Sequence, residues 1–213
     1  MTLGVTAEEP SASRAALGRL KVGNERFVKN ASVPVSLSTY TRQALTAGQK
    51  PFAMVLSCAD SRVPPEYIFN TGLGDLFVVR AAGEVVDRSI MATLEYGAEH
   101  LHIPLLVVMG HESCGAVKAA MDDAAVAGPN LAYLVKAIRA GTRRSGSEQT
   151  EIKGAILANV EQAINDALAG SDILQHAVKA GTLHVVGAYY ELGSGQVTFS
   201  EPVGAAALTT ARK

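Results

Sequence analysis

The sequence predicts an α/β fold: a mainly parallel central sheet flanked by helices, with an N-terminal helical arm and a C-terminal edge strand. Three observations carry that expectation. Short apolar runs rich in Val and Leu, bounded by Gly, Pro or Asp, occur at Phe52 to Ser57, Leu76 to Val79, Leu105 to Met109 and Leu183 to Val186. Such runs fit strands buried on both faces, the arrangement of a parallel sheet. Helical stretches separate them, as crossover connections require. The 213 residues supply one sizeable core and are few for two. The chain therefore reads as a single domain over 1–213, with a helical arm over 1–50 and an α/β core over 51–213.

Taken in order, Leu17, Leu20, Val22, Phe27 and Val28 recur at helical spacing after the capping candidates Ser11 and Ser13. A second short helix is expected from Tyr40 to Ala47, stopped near Gly48. Beyond the first strands, helices are expected over Arg88 to His100, Cys114 to Ala125, Leu131 to Ala140, Ile152 to Leu168 and Ile173 to Ala180. The polar stretch Gly141 to Thr150 reads as an exposed loop. Gly195 to Ser200 follows a Gly-Ser-Gly turn and alternates, which suggests an antiparallel edge strand paired with Leu183 to Val186.

Composition narrows the function classes. Hydrophobic residues make up 48%, charged residues 18%, and the formal net charge is −1, so neither disorder nor a nucleic-acid partner is expected. No apolar run approaches the ~20 residues of a membrane helix, and Glu8, Glu9 and Arg14 interrupt any signal-peptide pattern. No membrane contact is expected, and a cytoplasmic location follows. Two cysteines in a chain of this size do not make a disulfide framework, which leaves metal binding, redox chemistry or burial.

Two clusters carry chemistry. Cys58-Ala59-Asp60-Ser61-Arg62 follows the run Phe52 to Ser57, and His111-Glu112-Ser113-Cys114-Gly115 follows the run Leu105 to Met109. Both fall just past the carboxyl ends of expected parallel strands, where open α/β sheets build their sites. Cys58, His111 and Cys114 would make a Cys2His set with one position left open, the pattern of catalytic rather than structural zinc. Two buried thiols acting as small hydrophobes are the plain alternative. His100, His102, His176 and His184 show no chelating spacing with the clusters. Asp60 has two readings: a fourth metal ligand that would close the site, or a neighbour held by Arg62 and accepting a hydrogen bond from metal-bound water.

Together these clusters resemble the paired signature of the β-class carbonic anhydrases. The resemblance extends from Gly23-Asn24-Glu25-Arg26-Phe27 through Gly72-Leu73-Gly74-Asp75-Leu76-Phe77-Val78-Val79-Arg80 to Val186-Gly187-Ala188-Tyr189-Tyr190. It implies one zinc ion held by Cys58, His111 and Cys114, an Asp60–Arg62 dyad, and reversible hydration of carbon dioxide to bicarbonate and a proton by a zinc-bound hydroxide. Two thiolates leave the bound water less acidic than imidazoles would, so Asp60 matters by orienting it. Carbon dioxide needs a dry wall, for which Val63 and residues near Phe69 or Tyr96 are candidates. The backbone N–H of Gly115, at a helix start, is a candidate donor to the bicarbonate-like oxyanion. A homodimer or homotetramer is also implied, with the N-terminal helices as arms around a second subunit or, alternatively, packed on their own chain.

The chain departs from the family in three places. Ala81-Ala82-Gly83-Glu84 stands where members often carry Asn. The Gln that many place ahead of Gly72 is here Asn70 or Thr71, so Asn70 becomes the substitute candidate for binding substrate. Members with a regulatory bicarbonate site show Trp and Gly where this chain has Val55 and Ser57, and it has no Trp. No such site is expected here, although Arg80 matches one of its positions, and on the same ground Asp60 is expected to pair with Arg62 and leave zinc open at neutral or higher pH, with carboxylate ligation favoured below it. The competing functions are hydrolysis of carbonyl sulfide or carbon disulfide on the same scaffold, or thiol-based redox or zinc sensing by Cys58 and Cys114.

Overall fold

The computed structural model describes residues 11–122, 128–142 and 152–203. Five strands, β1 (Ala53–Ser57), β2 (Leu76–Arg80), β3 (Leu105–His111), β4 (His184–Tyr190) and β5 (Val197–Phe199), form one sheet in the order β2-β1-β3-β4-β5. The first four run parallel and β5 runs antiparallel to β4. Every residue of β1 and β3 is buried, as unbroken apolar runs require.

Helices cover both faces. On one face α1 (Ala12–Val28) and α3 (Pro65–Ile68) pack Ala16, Leu20, Ile68 and Phe69 against Val55, Leu105, Val107 and Met109. On the other, α4 (Arg88–Glu99), α7 (Ile152–Gly170) and α8 (Asp172–Lys179) pack Leu94, Val160, Ile164 and Leu174 against Met54, Leu56, Leu106 and Val108. At the carboxyl end of the sheet, α5 (Gly115–Met121) and α6 (Pro129–Thr142) gather a third cluster around Cys58 and Cys114, with Val117, Val135, Ile138 and Ile156. A fully buried Val, Leu or Ile is worth about 1.5–3 kcal/mol, so the face-to-face burial of β1 and β3 is what fixes the strand ends.

The helical arm divides in two. Ser11 caps α1 by accepting from the Arg14 N–H at 3.4 Å, while Ser13 is buried. The helix then seats on its own sheet, where it has the core partner that sequence alone did not supply. Asn24, on α1, donates to the carbonyls of Ile68 (3.3 Å) and Gly195 (2.8 Å) and accepts from the Val197 N–H (2.9 Å), tying α1 to α3 and to the edge strand. Residues 31–40 leading into α2 (Thr39–Ala44) are all exposed.

Several boundaries move, each for a physical reason. The expected helix Tyr40 to Ala47 is α2 followed by a tighter 3-10 turn, Leu45–Ala47, stopping at Gly48 as expected. Strand β3 runs two residues beyond Met109, so His111 belongs to the strand itself. Strand β4 begins at His184 and runs to Tyr190, and β5 pairs with its far end, Ala188 to Tyr190, rather than with Leu183 to Val186. The tight turn between them can only join adjacent ends. Gly141 and Thr142, expected in a loop, complete α6, while 143–150, like 123–125 of the expected helix from Cys114, lie outside the described residues. The short α3 and the 3-10 turn Ala82–Glu84 were not expected, one turn being too short for a periodic pattern.

Gly23 of α1 meets α3 so closely that an added Cβ would lie 1.9 Å from the Phe69 carbonyl oxygen, whereas at Gly18 on the same helix nothing lies within 4 Å. Gly23→Ala should lower stability by about 3 kcal/mol, the upper end for overpacking, and Gly18→Ala should raise it by up to about 1 kcal/mol through helix propensity. Denaturant unfolding of both variants checks this, and equal effects would refute the seating of α1 on Phe69.

Candidate metal centre

Strand order places the site. The chain leaves β1 towards β2 on one side and leaves β3 towards β4 on the other, so β1 and β3 are neighbours whose connections diverge. A crevice opens beyond the carboxyl ends of such a pair. Cys58 follows the last residue of β1, His111 ends β3, and Cys114 caps α5. Ser113 makes the turn between the last two with φ +56°, an uncommon conformation outside glycine that brings the third side chain back towards the strand end.

The three side chains are 4%, 0% and 1% exposed, and their donor atoms lie within 4.8 Å of one another. Among the described residues they form the one group of this kind. The Cys58 and Cys114 sulfurs are 4.0 Å apart and both thiols are free. Tetrahedral zinc with Zn–S bonds of ~2.3 Å sets two sulfurs about 3.8 Å apart, so the spacing fits that ion. His111 Nδ1 lies 2.9 Å from the Glu112 carbonyl oxygen. A carbonyl only accepts, so Nδ1 carries the proton and Nε2 presents its lone pair. Nε2 is buried without a hydrogen-bond partner, which in a native site calls for a ligand. The two sulfurs lie within hydrogen-bonding distance of each other. Hydrogen bonding from Cys114 draws Cys58 down to about 4 against the opposing effect of burial, helped by the backbone at Gly83 and Asp60. The same contact, with burial, pushes Cys114 up.

Asp60 stands at the rim. Arg62 donates from Nε to Oδ1 at 2.9 Å and from Nη2 to Oδ2 at 2.7 Å, and its backbone N–H also donates to Oδ1 at 2.9 Å. This fork holds the Asp60 carboxyl well below the usual carboxylate range. Asp60 Oδ2 lies 3.9 Å from His111 Nε2, so the dyad and the triad are in one place. Arg80 completes the loop from outside, donating to the carbonyls of Cys58 at 2.9 Å and Asp60 at 2.6 Å.

The other candidates are spread more widely. Gly115 is the first residue of α5 and is exposed. Val63 has no exposure and sits in the core cluster with Leu20, Phe69 and Met109. Asn70 accepts from Arg26 Nε (3.0 Å) and the Val33 N–H (2.8 Å) and donates to the Val33 carbonyl (2.8 Å), so most of its amide braces the N-terminal segment. Tyr96, on α4, makes tilted ring contacts with Phe77 of β2 and with His100 just past the helix end. Sequence reasoning missed Gly83, whose N–H donates to Cys58 Sγ at 3.4 Å, and Glu84 and Asn159 behind it. The signal was available: Glu84 is the one charge within the apolar run Ala81 to Val86.

Comparison with known proteins agrees with this geometry. The family model described as carbonic anhydrase matches residues 53–197. Carbonic anhydrase 2 of Mycobacterium tuberculosis is 39% identical over 197 residues, covering 89% of this chain and 94% of that protein. Among solved structures, Coccomyxa β-carbonic anhydrase in complex with acetazolamide is 28% identical with a TM-score of 0.69, over 93% of this chain and 89% of that one. One of two tetrameric β-carbonic anhydrases of Sordaria macrospora, 23% identical with a TM-score of 0.68 over 91% of this chain and 96% of that one, shares the fold. A Cys-His-Cys triad at the diverging strand ends, within a chain matched along nearly all its length, therefore assigns this protein to the β-class carbonic anhydrases, which hydrate carbon dioxide with zinc.

Proposed function

We propose that the chain hydrates carbon dioxide reversibly to bicarbonate and a proton, with Cys58, His111 and Cys114 holding a catalytic zinc ion and Asp60 kept off that ion by Arg62. The observation that carries this reading is the doubly bonded Arg62–Asp60 pair, 2.9 and 2.7 Å, beside the unpartnered Nε2 of His111. When bound, zinc supplies the Lewis acidity that brings the ionisation of a water to about pH 7. The protein's residues do the rest. With Arg62 engaging both oxygens, Asp60 remains ionised and acts as an acceptor. It takes the proton side of the reacting water and turns the lone pair towards carbon dioxide. Arg80 fixes the backbone that carries Asp60 and Cys58, and its engagement there supports the absence of a regulatory bicarbonate site.

The substrate pocket belongs to the same proposal. The Gly115 N–H donates to the oxyanion of the forming bicarbonate. Val63 backs the apolar side of the pocket, and Asn70 offers substrate the one Nδ2 proton not given to Val33. The whole chain acts as a single domain, and the cytoplasm is its proposed location. Among the described residues no helix is long and apolar enough to cross a membrane. Assembly as a homodimer or homotetramer is supported by the exposed apolar stretch that leads into and opens α2, where Val33, Leu37 and Tyr40 are 55%, 59% and 81% exposed. The tetrameric Sordaria relative is consistent with that assembly.

Purified protein should hydrate carbon dioxide at a rate that rises from about pH 6.5 to about pH 9, stops with a chelator that removes zinc, and returns when zinc is restored. A titration near pH 4 instead would oppose the reading. Asp60→Asn should lower hydration about 100-fold, the scale of a lost orienting contact, while zinc content and the zinc absorption-edge spectrum at pH 8.5 stay as in the parent. A changed spectrum would mean that Asp60 is a ligand. Sedimentation equilibrium should return two or four times the chain mass of 22.2 kDa. Leu37→Glu with Tyr40→Glu should lower that multiple, and a monomeric parent would exclude the assembly.

A further inference from the structure

Behind the Cys58 sulfur, the chain leaving β2 makes a turn that only an unusual backbone permits. Gly83 and Glu84 both have positive φ, +64° and +53°, a conformation that costs a non-glycine residue of order 1–3 kcal/mol. Gly83 is also confined: an added Cβ would lie 2.6 Å from Ile138 Cδ1 and 3.2 Å from Ala116 Cβ. The turn points the Gly83 N–H at Cys58 Sγ, 3.4 Å away, and its carbonyl at Asn159 of α7, whose Nδ2 donates to it at 2.7 Å. The same Nδ2 donates to Glu84 Oε2 at 3.1 Å. Asn159 is 3% and Glu84 1% exposed, and Glu84 Oε1 is buried without a partner.

A strained turn, a buried carboxyl and a buried amide thus converge on one metal-ligand sulfur. Nothing in core packing calls for a Glu here. Burial first, and the nearby Cys58 sulfur second, push the Glu84 carboxyl well above its usual range.

We propose that Glu84 and Asn159 are positioning residues for the metal centre, clamping the Gly83 turn so that its N–H stays on the Cys58 sulfur. The inference rests on the zinc reading of the triad. Two thiolate ligands donate much charge to the ion they hold, and an N–H on one of them takes part of that charge back while fixing the direction of the sulfur. The clamp therefore acts through Cys58, without touching substrate.

The test uses the full chain, loaded with zinc for metal release and with cobalt(II) for spectroscopy. Asn159→Ala and Glu84→Ala should each speed release of zinc to a chelator about tenfold, the scale for partners of metal ligands. They should also move the thiolate-to-cobalt charge-transfer band to lower energy, because a thiolate without its N–H is easier to oxidise. Glu84→Gln, which keeps the acceptor for Asn159, should restore the parent band and a release rate within about twofold of the parent. Parent-like release and band in Asn159→Ala would overturn the proposal. So would a Glu84→Gln variant as impaired as Glu84→Ala, since charge rather than the hydrogen bond would then be what matters. If Asn159→Ala does not fold, the two Glu84 variants decide by the same criteria. A parent that retains no zinc overturns the zinc reading and this inference together. A parent holding one zinc with indistinguishable variants overturns this inference alone.

Discussion

The parallel pairing of β1 with β3 is the constraint on which the rest of the molecule depends. Register aligns Ser57 with Met109, so Cys58 and His111 leave the sheet almost side by side although 53 residues separate them in the chain. Side-by-side strands buried on both faces cannot slip without exchanging the side chains of two closely packed core clusters. The separation of the two ligands is therefore fixed by Leu56, Val107, Val108 and their neighbours rather than by the site itself. Only Cys114 reaches the centre through a local device, the left-handed Ser113 and the start of α5.

Electrostatics shapes what is built at that end. Two buried sulfurs 4.0 Å apart, with the Asp60 carboxylate 3.9 Å from the His111 ring between the same strand ends, are all candidates for negative charge, an arrangement that a low-dielectric interior opposes. The protein answers with directed donors: the Arg62 fork on Asp60, Arg80 on the loop carbonyls and the Gly83 N–H on Cys58. A cation held by Cys58, His111 and Cys114 would complete the balance. The dyad and the triad are therefore parts of one charge arrangement. Arg62 engages both oxygens of Asp60, which supports the proposed role of that carboxylate as an acceptor beside the ligands.

Much of this was legible in the chain. Unbroken apolar runs gave the parallel strands, and the placement of both cysteines at run ends gave the ligands, because strand periodicity and residue chemistry are local properties. The pairing partner of β5 was legible for the same reason, but its register was not, since that depends on where β4 stops. Asn70 shows the opposite limit. Its amide is as suited to a substrate as to a backbone, and only the fold brings Val33 and Arg26 to it. Glu84 was visible as a lone charge, yet its partner Asn159 lies 75 residues away on α7, beyond any local pattern.

The N-terminal region shows how one motif can serve packing while its neighbour remains exposed. Gly23 and Asn24 are where α1 comes closest to the body of the protein. The glycine admits the Phe69 carbonyl, and the asparagine satisfies backbone groups from α3 and the β5 hairpin that would otherwise be buried unpaired. Their chemistry is that of a joint, and it accounts for the motif without a catalytic role. Past Val28 the helix ends and the apolar side chains Val33, Val35, Leu37 and Tyr40 turn outward. Asn70 nevertheless braces the backbone at Val33 through two hydrogen bonds. A segment whose backbone is fixed while its apolar side chains stay uncovered among the described residues presents an organised surface rather than a loose end.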